Sequence, residues 1–240
     1  MSDPVAGRAG PEQARILLRA RDVYKSYPSG SGRLDVLTGV NLEVRRGEIL
    51  VIVGASGVGK STLLHILGAL DRPTRGTVEL DSTDIFSLSD KKLARVRNRT
   101  VGFVFQFHHL LPEFSATENV AMPLLIDGRD PQAAREIAFG LLRGVGLDRC
   151  ADQKPSELSG GEQQRVAVVR ALANNPLIVL ADEPSGNLDR ANSEMLHDLI
   201  WHLSRFKNQA FVIMTHNEKL AARADRLLRL SDGELRPASL

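Results

Sequence analysis

The chain holds a single cysteine, Cys150, in 240 residues, which excludes an internal disulfide and a cysteine metal cluster and fits a reducing compartment. Charge of one sign is also lacking: 31 Lys and Arg stand against 29 Asp and Glu, a net +2, so the electrostatic footprint of a nucleic-acid binder is missing. No apolar run approaches the roughly 20 residues that span a bilayer. The opening MSDPVAGRAGPEQAR has no signal-peptide apolar core, so if the chain serves a membrane, a partner is expected to anchor it. No internal repeat, zinc motif or long coiled-coil insert is visible. What remains, 42% apolar and 25% charged residues, is enough for one sizeable core.

What is present centres on Gly54, Ala55, Ser56, Gly57, Val58, Gly59, Lys60, Ser61 and Thr62, which fit the phosphate-loop pattern of two glycines around four residues followed by Lys-Ser. The run before it, 49–53, is apolar without alternation, as a parallel strand buried on both faces should be. Helical apolar spacing follows over 62–70. Glycines in such a strand-to-helix turn let backbone N–H groups surround a phosphate, and the helix N-terminus adds partial positive charge. Lys60 is expected to reach the outer phosphates of a nucleoside triphosphate, and Ser61 to bind the magnesium that bridges them.

Residues 1–15 lack periodicity and are expected to form a flexible tail. Strands are expected at 16–23 and 36–44, around the turn-rich Pro28, Ser29, Gly30, Ser31 and Gly32, and at 77–80 after Gly76. Beyond Ser89 the chain turns helical. A basic helix is expected at 91–99, a capping box of Ser115 and Glu118 opens another over 119–126, and Asp130-Pro131 starts a third. Apolar strands return at 177–181 and 211–214, with helices at 190–206 and 218–224, as a doubly wound α/β fold requires.

Asp182 and Glu183 end the strand at 177–181, at the carboxyl edge where ligands of such sheets bind. Asp182 is expected to hold magnesium through water, and Glu183 to orient and deprotonate the water that attacks the γ-phosphate. Ser159, Gly160 and Gly161 precede a helix over 165–173 and form a second anion-binding device. With one phosphate loop already cradling the nucleotide, this device is free for a γ-phosphate presented by another molecule.

Leu158, Ser159, Gly160, Gly161, Glu162 and Gln163 resemble the LSGGQ signature of the ATP-binding-cassette (ABC) ATPases, with Glu162 in the fifth place, a variant also seen in that family. Other positions match in order from Ile16 onward. Gln106 resembles the glutamine that touches magnesium and senses the γ-phosphate; Ser185, Gly186, Asn187, Leu188 and Asp189 resemble the D-loop; His216 resembles the switch histidine. Tyr27 lies where the family places an aromatic that stacks on adenine, with Tyr24 competing for the role. The resemblance implies an α/β P-loop NTPase of the ABC ATPase fold over 16–240. That fold has a mostly parallel core sheet, an antiparallel β layer and an inserted α-helical subdomain at roughly 89–173. It further implies ATP and Mg2+ as cofactors and an ATP-dependent homodimer whose sites combine the phosphate loop of one chain with Ser159, Gly160, Gly161 and Asp189.

The stretches 107–114 and 117–125, with 181–189, are similar to the lipoprotein-releasing branch of the family, except that Ser185 stands where Thr is commoner. This implies a peripheral ATPase docked on integral membrane subunits at the cytoplasmic face of the inner membrane, with no nucleic acid involved. A sister ABC ATPase of macrolide-efflux or cell-division type shares most of these motifs. A soluble ABC protein acting on DNA or ribosomes is opposed by the near-neutral charge, and a metabolic kinase leaves Ser159, Gly160 and Gly161 unexplained. Phe107, Leu110, Leu111, Phe114, Val120, Met122, Leu124 and Leu125 exceed what one short helix can hide, so part of them is expected to form an exposed docking patch; complete internal packing is the competing reading. His108 and His109, adjacent and without a partner cluster, are a weak metal site and are assigned to the partner surface or the local fold.

Overall fold

The computed structural model of the chain describes residues 15–30 and 32–239. The tail expected over 1–15 lies outside them apart from Arg15, as does Ser31 of the expected turn. Two long strands, β1 (Ile16–Ser29) and β2 (Gly32–Arg45), open the fold as an antiparallel pair. They outrun their apolar cores because pairing continues through Tyr24↔Thr38 and Tyr27↔Leu34. Then come β3 (Ile49–Val53), α1 (Lys60–Leu67), β4 (Arg75–Leu80), β5 (Thr83–Asp84), α2 (Asp90–Thr100) and β6 (Val101–Phe105). Three helices follow, α3 (Ala116–Ile126), α4 (Pro131–Arg143) and α5 (Gly160–Leu172). The chain closes with β7 (Ile178–Asp182), α6 (Arg190–Lys207), β8 (Ala210–Met214), α7 (Glu218–Ala221), β9 (Arg226–Ser231) and β10 (Glu234–Pro237).

The strands form an antiparallel sheet of order β2-β1-β4-β5 and a six-stranded sheet of order β10-β9-β3-β8-β7-β6. In the second, only β10 and β9 run antiparallel; the other pairs are parallel. Strict alternation of side chains explains why its central strands are apolar throughout. Leu50, Ile52, Leu180, Val212 and Met214 face a core shared with α1 and the antiparallel sheet. Ile49, Val51, Val179, Ala181, Phe211 and Ile213 face Leu196, Ile200 and Leu203 of α6. The sequence pattern did not announce β9 and β10: in β9 arginines interrupt the leucines, and only Leu230 is fully buried.

A third core belongs to the helices alone, with Val120 and Leu124 of α3, Ala134, Ala138 and Leu142 of α4, and Val166 and Val169 of α5. Within the same stretch, α2 packs through Leu93 into the first core and β6 is a strand of the large sheet. Capping sets where these helices begin. Ser115 Oγ accepts from Glu118 N while Glu118 Oε2 accepts from Ser115 N at 2.7 Å, and Asp130 Oδ1 accepts from Gln132 and Ala133. The same box, Ser159 with Glu162, starts α5 at Gly160 and offsets part of the low helix propensity of two glycines, about 1 kcal/mol each.

Leu64, fully buried between α1 and the two sheets, reports on this packing. Leu64→Ala should destabilise the fold by about 2–5 kcal/mol, whereas Phe206→Ala on the exposed face of α6 should stay within about 0.5 kcal/mol. Urea unfolding of the two variants checks this, and equal midpoints would contradict it.

Candidate active site

Register brings the site together. Ile52 and Asp182 both lie level with Met214, and Phe105 lies level with Asp182, so β3, β6, β7 and β8 all end at one edge. Two backbone bonds cross that edge, Thr215 N to Ile52 O at 3.1 Å and Glu183 N to Met214 O at 2.8 Å. There a cleft of about 740 Å³ is lined by Tyr27, Leu34, Val36, Gln106, Asp182, Glu183, His216 and the loop residues Gly54, Ala55, Ser56, Gly57, Gly59, Lys60, Ser61 and Thr62. Val58 is the loop residue that does not line it, because its side chain packs against the first core.

The loop needs its glycines. Gly59 has φ +106°, and a Cβ there would lie 2.7 Å from Val36 Cγ1; a Cβ on Gly54 would lie 2.6 Å from the Leu230 carbonyl. Lys60 is almost fully buried, its Nζ donating to the carbonyls of Gly54 at 2.8 Å and Ala55 at 2.9 Å. No acidic side chain of its own sits in the first turn of α1, so the positive helix end that faces the cleft is not offset from within the helix. Ser61 Oγ donates to Asp182 Oδ2 at 2.5 Å, which puts a hydroxyl and a carboxylate, both hard oxygen donors, side by side. Among the described residues no cluster of three or more His, Cys, Asp or Glu could hold a metal unaided. The set suits magnesium, which takes one or two protein oxygens and completes its shell with phosphates and water.

Glu183 adopts φ +45°, a left-handed conformation that costs a non-glycine residue about 1–2 kcal/mol. The surroundings hold it there. Its carboxylate accepts from Thr215 Oγ1 at 2.9 Å, and His216 Nδ1 lies 2.7 Å from its other oxygen. Gln106 and Asn187 are bonded reciprocally, Gln106 Nε2 to Asn187 Oδ1 at 3.0 Å and Asn187 Nδ2 to the Gln106 carbonyl at 3.1 Å. Thr215 was not among the sequence candidates; its one signal is its place between an apolar strand and His216.

Of the two tyrosines, the structure places Tyr27 in the cleft, while the Tyr24 hydroxyl is packed against Gly39 and its ring lies 5.0 Å from the Arg75 guanidinium. Tyr27 OH donates to Asp71 Oδ2 at 2.8 Å, and Lys25 Nζ sits 2.7 Å from the same carboxylate and 4.8 Å above the Tyr27 ring. Burial and then the Asp71 carboxylate push the Tyr27 phenol up. Burial would also raise Asp71, but hydrogen bonds from Lys25 and Tyr27 outweigh it and hold it below the usual carboxylate range.

Ser159, Gly160, Gly161 and Asp189 do not line the cleft. Ser159 Oγ donates to Glu162 Oε2 at 2.6 Å, and these bonds from the serine hydroxyl and N–H keep Glu162 ionised to lower pH than usual. Gly160 opens onto free space, whereas a Cβ on Gly161 would collide with the Asn192 side chain of α6. Asp189 caps α6, accepting from Asn192 N at 2.8 Å. In the segment after Gln106, exposure is divided: Phe107, Leu111, Phe114 and Leu125 are exposed, while Val120 and Leu124 are buried and Leu110 packs against the helical core. Pro123 lines a second groove of about 400 Å³ with Leu70, Phe103, Phe105 and Ile126. The carbonyls of His108 and His109 accept from Arg170 of α5 at 2.8 and 2.7 Å, so the backbone of both histidines serves the local fold.

A sequence model of the ABC transporter family matches residues 37–186. The lipoprotein-releasing system ATP-binding protein LolD of Cytophaga hutchinsonii is 54% identical over 217 residues, 90% of this chain and 97% of that protein. That of Geobacter metallireducens is 54% identical over 219 residues, 91% and 97%. Among solved structures, the dimeric post-hydrolysis state of the ATP-binding cassette MJ0796 bound to ADP and Pi superposes with TM-score 0.85 and 38% identity, covering 93% of this chain and 100% of that one. The match runs from the antiparallel strands across the phosphate loop to the edge that carries Asp182 and Glu183, and the chain belongs to the ABC transporter family.

Proposed function

We propose that this chain is the ATP-hydrolysing subunit of an inner-membrane transporter that releases outer-membrane-directed lipoproteins, working as a pair of copies on membrane subunits at the cytoplasmic face. As an ABC cassette it is an ATPase; the relatives' names support the lipoprotein class. The observation that carries the reading is the meeting of Lys60, the Ser61–Asp182 contact and the Glu183–His216 pair in one cleft. The cassette would span 16–240 with the helical insertion inside it. Among the described residues no helix is long and apolar enough to cross a membrane, in keeping with attachment through partners.

Phosphate oxygens would take over Lys60 from the two loop carbonyls, giving charge-assisted bonds at the positive end of α1. Magnesium held by Ser61 and Asp182, within reach of Gln106, would neutralise charge building on the phosphates. Glu183 takes a proton from the attacking water as the water oxygen bonds the γ-phosphorus and ADP departs. His216 orients Glu183 and faces the same phosphate, and Tyr27 offers the ring face opposite Lys25 to adenine. Ser159 and the Gly160 and Gly161 N–H groups would complete the γ-phosphate shell of the other copy, with Asp189 alongside.

Glu183→Gln should lower kcat by about 10²- to 10⁴-fold with nucleotide affinity nearly unchanged, while Lys60→Ala should weaken binding about 10- to 150-fold, the equivalent of about 1.5–3 kcal/mol. Steady-state kinetics and nucleotide titration read the two separately; undiminished turnover in Glu183→Gln would remove it from the role. For the partner surface, Phe107→Glu with Phe114→Glu should preserve fold and nucleotide binding and abolish co-purification with the membrane subunits. Leu110, although part of the same apolar segment, is unsuited to this test because it packs inward. Wild-type recovery of membrane subunits would put the docking patch elsewhere.

A further inference from the structure

The turn from Glu183 to Asp189 carries three functions at once. Glu183 opens it in a left-handed conformation, Gly186 and Asn187 meet Gln106, and Asp189 closes it as the cap of α6. Such a turn holds its shape only if side chains tie it to a rigid element. Ser193 Oγ reaches the Leu188 carbonyl at 3.4 Å, a weak bond. A shorter tie lies deeper, where His197 Nε2 on the second turn of α6 is 3.1 Å from Ser185 Oγ, with His197 4% and Ser185 7% exposed. The hydroxyl can donate or accept, so the bond forms in either imidazole tautomer.

We infer that His197, through Ser185, is a positioning residue for hydrolysis: it anchors the turn two residues beyond Glu183 to α6 and so fixes the direction of the Glu183 carboxylate. The bond is buried, so loss of one partner leaves a polar group without water to replace it. Burial first, then the nearby Arg223 cation, disfavour a charged imidazole against the opposing Asp198 and Glu194 carboxylates, and a neutral ring lets Ser185 donate as well as accept. A histidine that only filled space would contribute to stability but not to turnover. Hydrogen-bond geometry held to a few tenths of an ångström matters for a base that must meet a water in line with the γ-phosphate.

The inference rests on Glu183 acting as the base. The test measures kcat, KM for ATP and thermal midpoint for Ser185→Ala, His197→Phe, the double variant and His197→Gln, with Glu183→Gln alongside. Ser185→Ala and His197→Phe should each lower kcat about five- to tenfold, the equivalent of losing one buried neutral hydrogen bond, with KM within about twofold. The double variant should be no slower than either single one, and His197→Gln, which restores an amide at the position of Nε2, should recover most of the rate. Full-speed Ser185→Ala with slow Glu183→Gln overturns the tie alone, whereas full-speed Glu183→Gln overturns the base instead. Additive losses, or a fall in thermal midpoint with kcat preserved, would also overturn it. Should His197→Phe fail to fold, Ser185→Ala, which removes a single oxygen, still decides.

Discussion

The register of four parallel strands holds the nucleotide edge together: Ile52, Met214, Asp182 and Phe105 lie level across β3, β8, β7 and β6. From that level the chain departs into the phosphate loop, the Thr215–His216 turn, the Glu183 turn and the Gln106 loop. Alternating side chains divide these strands between two buried cores, so the ladder is packed on both faces. The cross-edge bonds from Thr215 to Ile52 and from Glu183 to Met214 carry the same register into the loops. Burial on that scale offsets the cost of a left-handed Glu183, a local strain of about 1–2 kcal/mol against side chains each contributing about as much.

From this edge two connections run outward. One passes from Gln106 through the carbonyls of His108 and His109 to Arg170 and so to α5, whose first turn is the Ser159–Glu162 box. The other passes through Asn187 and Asp189 to Asn192, which sits against Gly161 of that same turn. Asn192 thus braces the start of α5 and Arg170 holds its last turn, with the Gly160 face left open. On this account a γ-phosphate from a second copy would compete with Glu162 for the Ser159 hydroxyl.

Much of this was legible in the sequence because it depends on local pattern. The apolar strands at 49–53, 177–181 and 211–214, the phosphate loop, the Ser115 and Asp130 caps and the Asp182–Glu183 strand end follow from periodicity or spacing, whereas Tyr27, Gln106 and His216 were expected from the resemblance to the ABC ATPases. What was not legible depends on partners far apart in the chain. Asp71 meets Tyr27 and Lys25, Asn192 closes over Gly161, Thr215 holds Glu183, and in β9 Arg226 and Arg229 interrupt the leucines and conceal the strand. The apolar segment 107–125 shows the limit of composition, since only the fold separates Phe107 and Phe114, which are exposed, from Val120 and Leu124, which are not.

The central claim is that two copies share each catalytic site, and mixing two inactive variants tests it most directly. Gly160→Trp should fold and bind nucleotide, because among the described residues nothing beyond its chain neighbours and its own helix backbone lies within 4 Å of that Cβ, yet it would block closure on a partner's γ-phosphate. Lys60→Ala removes the other half of the site. A mixture should regain ATPase activity from the pairs in which one site combines an intact phosphate loop with an intact Ser159–Gly161 turn, up to about one competent site per mixed pair. Mixed dimers that form yet recover no ATPase activity at any ratio would contradict the shared site.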